Sequence, residues 1–215
     1  MRIIFFAAIA LICFSACNNG GDGKKPFCDT TCSGNLIKLE GNSDFKQVVT
    51  ISLKDCNPDT LSWTHGKAGV NRQIQLAEYL DKQVKINPKA LSAGFQDTTL
   101  VWLAFNDCIT GRAYLLRLPY SQTQGIGKMN GALNSFDPKF SIDPDLRAYT
   151  DRGNIYIVNV TTGKSAQMTF KEAYEDMDFD DIHKVVDTIN VTKKHVFVRL
   201  LKDGKNVDLE KDIEL

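Results

Sequence analysis

An excess of charge of either sign is missing from this chain. Its 26 basic and 26 acidic residues cancel at neutral pH, and no run of Lys and Arg forms a patch, so a nucleic-acid partner is not expected. Long apolar runs are missing as well. The longest, Ile3 to Phe14, has twelve residues, short of the roughly 20 that a helix needs to span a bilayer core. Histidine is scarce: His65, His183 and His195 are too far apart for a spaced metal motif, and only Asp187 stands four residues after one of them. No Gly-x-Ser-x-Gly occurs. Ser43-Asp44-Phe45-Lys46 has the Ser-x-x-Lys spacing but lacks the Ser-Asp-Asn and Lys-Thr-Gly segments that such a nucleophile works with. Gly125-Ile126-Gly127-Lys128 lacks both the glycine spacing and the Ser or Thr of a phosphate loop. The residues therefore single out no catalytic group, no metal site and no cofactor.

What is present begins at the amino terminus. Arg2 followed by the apolar run to Phe14 has the layout of an export signal, a charged n-region and a short h-region. The run ends in Phe14-Ser15-Ala16-Cys17. This resembles the bacterial lipobox, with Phe14 where that family usually has Leu, and the resemblance implies that residues 1–16 are removed and Cys17 is lipidated with palmitate-type chains. Each buried methylene contributes about 0.8 kcal/mol, so several chains on one residue give a stable membrane anchor. In such lipoproteins an acidic residue after the acylated Cys holds the protein in the inner membrane. Here Asn18 stands there, so the implied location is the cell envelope, at the outer membrane. Residues 17–26, rich in Gly, Asn and Lys, have nothing to bury and read as a flexible tether, and residues 27–215 as a single β-rich domain.

With Cys13 in the signal and Cys17 acylated, four cysteines are left: Cys28, Cys32, Cys56 and Cys108. An even number in an oxidising compartment reads as two disulfides, in any of three pairings. A four-cysteine metal site would need paired short spacings, and Cys56 and Cys108 stand alone.

Four times the chain repeats a β-rich run, a turn signal and a second β-rich run. Val48 to Leu53 pairs with Leu61 to His65, Thr99 to Phe105 with Ala113 to Leu118, Ile155 to Val160 with Ala166 to Phe170, and Val196 to Leu201 with Val207 to Leu209. The runs carry Val, Ile, Thr and aromatics, and the turns carry Gly, Asn, Asp or Pro. Helices are minor: Asn71 can cap a segment with Ile74, Ala77 and Leu80 on one face, ending before Pro88. A second helix can start at Asp178, with Ile182, Val185, Val186 and Ile189 at helical spacing.

Residues 138–164 contain an Asp-Pro-Asp turn at Asp143 to Asp145, an Asp-x-Gly-Asn turn at Asp151 to Asn154, the strand Ile155-Tyr156-Ile157, and Thr162-Gly163-Lys164. This segment resembles one blade of the TolB-type propeller repeat, and Thr110-Gly111-Arg112 and Asp203-Gly204-Lys205 echo its hairpin. Propellers use four strands per blade and typically 4 to 8 blades, more strands than four hairpins supply. The expected fold is mainly β: antiparallel hairpins forming a sandwich or a partial propeller-like sheet stack, with one or two short helices.

Three further features bear on function. Asp176-Met177-Asp178-Phe179-Asp180-Asp181 has the alternating carboxylates of a calcium loop, but Asp181 and Asp187 occupy the places of its Gly and bidentate Glu, and a helix start accounts for the same residues. Asp-Thr followed by an apolar residue or Thr occurs at Asp29, Asp59, Asp97 and Asp187. It resembles a short bacterial O-glycosylation signal and equally suits turns and strand starts. Trp63, Trp102, Tyr114 and Tyr156 fall in mid-strand, where they can line a sugar- or peptide-binding face or fill the core. The expectation is a non-enzymatic, membrane-tethered module that binds an envelope protein or a glycan. The alternative is an envelope or glycan hydrolase working through carboxylates that spacing cannot identify.

Overall fold

The structure is a computed structural model and describes residues 25–32, 34–129, 131–151, 153–169 and 185–215. The protein is mainly β, built as four four-stranded sheets that follow one another along the chain. The first holds β1 (Leu36–Glu40), β2 (Gln47–Lys54), β3 (Asn57–His65) and β4 (Val70–Gln75). The second holds β5 (Leu91–Gln96), β6 (Leu100–Asn106), β7 (Ala113–Pro119) and β8 (Gly127–Met129). In the third, β9 (Ala132–Leu133) is followed by β11 (Leu146–Asp151), β12 (Asn154–Asn159) and β13 (Ser165–Thr169). The strand skipped, β10 (Phe140–Ile142), leaves its chain neighbours and pairs in parallel with β14 (Val186–Val191) at the edge of the fourth sheet, beside β15 (His195–Lys202) and β16 (Lys205–Asp212). All other pairings are antiparallel. Each hairpin expected from the sequence is present, as β2–β3, β6–β7, β12–β13 and β15–β16, and each is widened by two more strands.

Burial explains the different textures of the strands. Every residue of β6, Leu-Val-Trp-Leu-Ala-Phe-Asn, is buried. Val101, Leu103 and Phe105 enter a cluster shared with the first sheet, while Leu100, Trp102 and Ala104 enter one shared with the third. A strand covered on both faces has no reason to alternate, so it reads as a continuous apolar run. The outer sheets have one covered face and do alternate: Val49 and Ile51 of β2, and Val196, Val198 and Leu200 of β15, point inward between half-exposed neighbours. A third cluster, with Leu146, Ile155, Ile157, Ile189 and Val198, joins the third and fourth sheets. The sheets approach closely at Gly94 of β5, where a Cβ would lie 3.0 to 3.2 Å from the side chain of Val160, the residue that follows β12 of the third sheet.

Two hairpin turns share one hydrogen-bond scheme. In the β6–β7 turn Asp107 N donates to Arg112 O at 2.9 Å, Gly111 N donates to Asp107 O at 2.8 Å, and Ile109 N and Thr110 N reach the Asp107 carboxylate. In the β12–β13 turn Asn159 N donates to Lys164 O, Gly163 N to Asn159 O, and Thr161 N and Thr162 N to Asn159 Oδ1. Gly111 (φ 77) and Gly163 (φ 74) fill the left-handed position that closes each turn. An Asp or Asn side chain mimicking a backbone turn, followed by Thr-Gly and a cation, therefore encodes both.

Two helical expectations are corrected. Asn71 caps no helix: residues 70–75 are β4, paired with β3, and only Leu76–Leu80 forms a single helical turn, α1, anchored by buried Leu76 and Leu80. The side chains of Val70, Arg72 and Ile74 alternate with exposed Asn71, Gln73 and Gln75, and pairing against a formed sheet outweighs a weak helical periodicity. The second expected helix begins outside the described residues, but its final stretch from Val186 to Ile189 belongs to β14, held by β10 and β15 on its two sides.

Candidate binding cleft

The four cysteines remaining after the expected signal form two disulfides, Cys28–Cys108 and Cys32–Cys56, with Cα atoms 4.6 and 5.2 Å apart. Cys56 lies in the two-residue β2–β3 turn, where Asp55 and Cys56 both take positive φ, 49° and 62°, the turn whose twist suits a hairpin. Cys108 lies, fully buried, in the β6–β7 turn. Residues 27–32, with Gly34 and Asn35, thus strap the first two sheets. Phe27 N donates to Cys108 O at 2.7 Å, Asn87 Nδ2 to Asp29 O at 2.9 Å, and Leu53 N to Asn35 O at 2.9 Å. Asp29 accepts from Thr31 N, and hydrogen bonding to Thr31 lowers the Asp29 carboxyl below its ordinary range.

Beside this strapped end lies a cleft of about 210 Å³ between the second and third sheets. Ser92 of β5 and Ala104 of β6 form one side, and Leu133, Asn134, Ser135 and Phe136 the floor and mouth. Ile142, Asp143, Pro144, Leu146 and Arg147 close the other side. Two of its polar side chains, Asn134 and Asp143, are tied to neighbours. Asn134 Nδ2 donates to Asn106 Oδ1 at 2.6 Å, and Asn134 Oδ1 accepts from Phe136 N. Asp143 Oδ2 accepts from Lys193 N, and the neighbouring Asp145 is engaged by Lys193 Nζ at 2.8 Å.

Arg147 is only partly satisfied. Its Nη1 donates to Pro144 O at 2.9 Å and Leu146 O at 2.8 Å, whereas its Nε is buried with no hydrogen-bond partner. Burial pushes the guanidinium below its ordinary pKa, opposed by the nearby Asp145 carboxylate. The residue sits in β11 on the face opposite Leu146 and Ala148, whose side chains fill the cluster shared with the fourth sheet. Strand alternation therefore aims a cation at the second sheet. Chemically the cleft offers one cation, one carboxylate already engaged, and walls dominated by apolar carbon.

The residues named from the sequence fall elsewhere. Trp63, Trp102 and Tyr114 are buried, with Trp63 Nε1 donating to Pro119 O at 2.9 Å. Tyr156 stacks on Tyr149 at 5.1 Å between ring centroids. These four fill and edge the core and do not form one binding face. His65 is buried and its Nδ1 accepts from Ala68 N, capping a 3-10 turn. His195 lies on the fourth sheet, 2.9 Å from Asp212 Oδ1, and His183 lies outside the described residues. So do Cys17, the acidic run from Asp176 to Asp181, and the expected helix start. Of the Asp-Thr pairs, Thr30 and Thr98 are exposed, while Thr60 and Thr188 are half-buried in β3 and β14. Thr98 rims a shallow polar hollow at the opposite end of the second sheet, lined also by Gln96, Asp97, Thr161 and Thr162.

Arg147 was the residue that spacing did not reveal, although the Asp143-Pro144-Asp145 turn beside it was conspicuous. The available signal was a lone Arg at an inward-alternating position between Leu146 and Ala148. Comparison with protein-family models and with curated proteins finds no match to this chain, so the cleft is read from its own residues.

Proposed function

We propose that this chain is a lipid-anchored binding module of the cell envelope, held at the membrane by Cys17 and engaging its ligand in the cleft between the second and third sheets. The observation that carries the binding reading is the composition of that cleft: apolar walls with a small number of polar groups, one of them a half-buried cation whose buried Nε has no partner. This is how a ligand site differs from a merely imperfect core. A glycoside hydrolase would place two carboxylates across the cleft, about 5 to 10 Å apart; among the described residues the lining holds one carboxylate, Asp143, which accepts from Lys193 N. The two disulfides support an oxidising, extracytoplasmic compartment.

Two measurements test the reading. Replacing Cys17 with Ala abolishes palmitate incorporation and moves the protein out of the membrane fraction; unchanged membrane association would refute the anchor. Small molecules from the organism's own envelope extract that raise the melting temperature of the purified protein are recovered chemically unchanged after incubation. Recovery of a cleaved or otherwise altered ligand would replace the binding module with an enzyme.

A further inference from the structure

We propose that the cleft takes a small organic carboxylate with a short apolar tail, held in a fork by the Nε and Nη2 edge of Arg147. This deepens the binding reading above, on which it rests, by naming the ligand class.

The guanidinium presents its donors in a rigid plane. Nη1 is spent on the carbonyls of Pro144 and Leu146, 2.9 and 2.8 Å away, which fixes the plane and leaves the Nε and Nη2 edge, the one that meets a carboxylate with two parallel hydrogen bonds. Nε on that edge is buried and unpartnered. Leaving a buried donor on a charged group unpaired is costly. Asp145 lies near enough to favour the charge but is bound by Lys193 Nζ, and Asp143 accepts from Lys193 N, so neither carboxylate is hydrogen-bonded to this edge. Among the described residues no carboxylate meets this edge, so the partner assigned to it here is an anionic ligand.

The rest of the cleft restricts what carries that charge. The cleft's volume of about 210 Å³ lies below the roughly 300 to 1,000 Å³ of drug-sized ligand pockets, which suits a small ligand. Leu133, Phe136, Ile142 and Leu146 supply apolar walls, which suit an aliphatic tail and oppose a fully polar dianion that would need further cations. Ser135 is exposed at the mouth and marks the entrance.

The test is a titration of the full-length acylated protein in detergent with sodium butyrate, followed by saturation-transfer NMR and thermal shift, with butyramide as the uncharged counterpart. Butyrate binds saturably and butyramide at least tenfold more weakly. Arg147→Lys keeps the charge but loses the fork and weakens butyrate at least tenfold. Arg147→Gln abolishes its binding. Because Arg147 also ties down Pro144 and Leu146, a second variant acts from outside: Ser135→Trp covers the mouth, abolishes butyrate binding and leaves the melting temperature of the free protein unchanged. No saturable butyrate binding to the wild type, equal affinity for butyramide, or unchanged binding in folded Arg147→Gln or Ser135→Trp overturns the ligand class. The broader binding reading is overturned by a different result, the altered ligand described above, so the two failures are distinguishable.

Discussion

Removing the two disulfides in turn gives the most quantitative test of how the strap holds the sheets. Cys32–Cys56 closes a sequence separation of 24 residues and Cys28–Cys108 one of 80. If a cross-link stabilises by restricting the unfolded chain, the entropy of closure gives about 3.4 kcal/mol for the shorter loop and about 4.5 kcal/mol for the longer at room temperature. Surroundings widen the gap: Cys32 and Cys56 are exposed, so Cys32→Ser with Cys56→Ser loses the closure term alone. Cys108 is fully buried in the β6–β7 turn, so Cys28→Ser with Cys108→Ser also buries a hydroxyl, at roughly 1 to 3 kcal/mol if unpaired. For a domain of this size the smaller loss lowers the melting temperature by about 7 to 14 °C. Urea unfolding followed by circular dichroism, with the double-serine variants measured beside the wild type in oxidising buffer, reads both losses. A loss below about 1 kcal/mol for either pair, or a larger loss for the 24-residue pair, would show that the strap is not what fixes the first two sheets.

Other consequences follow from the same coordinates. Gly94→Ala drives a methyl against Val160 and destabilises by roughly 1 to 3 kcal/mol; Val160→Ala in the same chain recovers most of that loss, and a double-mutant cycle by urea unfolding shows non-additivity. Phe105→Ala, at a fully buried site, costs about 3 to 5 kcal/mol, whereas Leu36→Ala at an exposed edge position stays within about 0.5 kcal/mol; similar losses would refute the placement of the core. Asp208 accepts from Arg199 Nε and Nη2 at 2.7 and 2.8 Å, and these bonds lower its carboxyl from the ordinary 3.8. A depressed carboxyl stabilises above its unfolded value and loses that contribution as pH falls through the folded one. The melting-temperature advantage of wild type over Asp208→Asn is therefore full above pH 3.8 and shrinks below it; a difference that grows on acidification contradicts the pairing.

The parts of this fold legible in the sequence are those in which a turn residue and a strand pattern agree. Asp203-Gly204, with φ of 50° and 72°, and the Thr-Gly turns at Gly111 and Gly163 delimit hairpins whose strands match the expected runs to within a residue, except β16, which extends the expected Val207 to Leu209 to Lys205–Asp212. The strands that flank them carry weaker signals. β9 has two residues, and β5 contains Gly94, which lowers strand propensity yet is required where the sheets touch. β14 is obscured because Val185, Val186 and Ile189 satisfy a helical period as readily as a buried strand, and pairing with β10, at a separation of 49 residues (Phe140 with Ile189), is invisible locally. The cleft was illegible for a related reason. Its walls come from β5, β6, β9, β10 and β11, and no spacing rule joins Ser92 to Arg147.

The strap also bears on how the cleft would face its surroundings. Asn134 in the cleft is bonded to Asn106, two residues before Cys108, and Cys108 O accepts from Phe27 N where the strap begins. The cleft and the point of entry of the proposed tether are therefore at the same end of the second sheet. Ten residues from Cys17 to Pro26 extend at most about 35 Å, so with Cys17 acylated, as proposed, that end stays within such a distance of the bilayer. Lengthening the tether with Gly and Ser moves the cleft outward without changing it. Butyrate affinity of the purified protein is then unaltered, whereas capture of any ligand delivered from the membrane itself falls as the insert grows. If the tether length leaves both unchanged, the position of the cleft beside the anchor has no functional consequence.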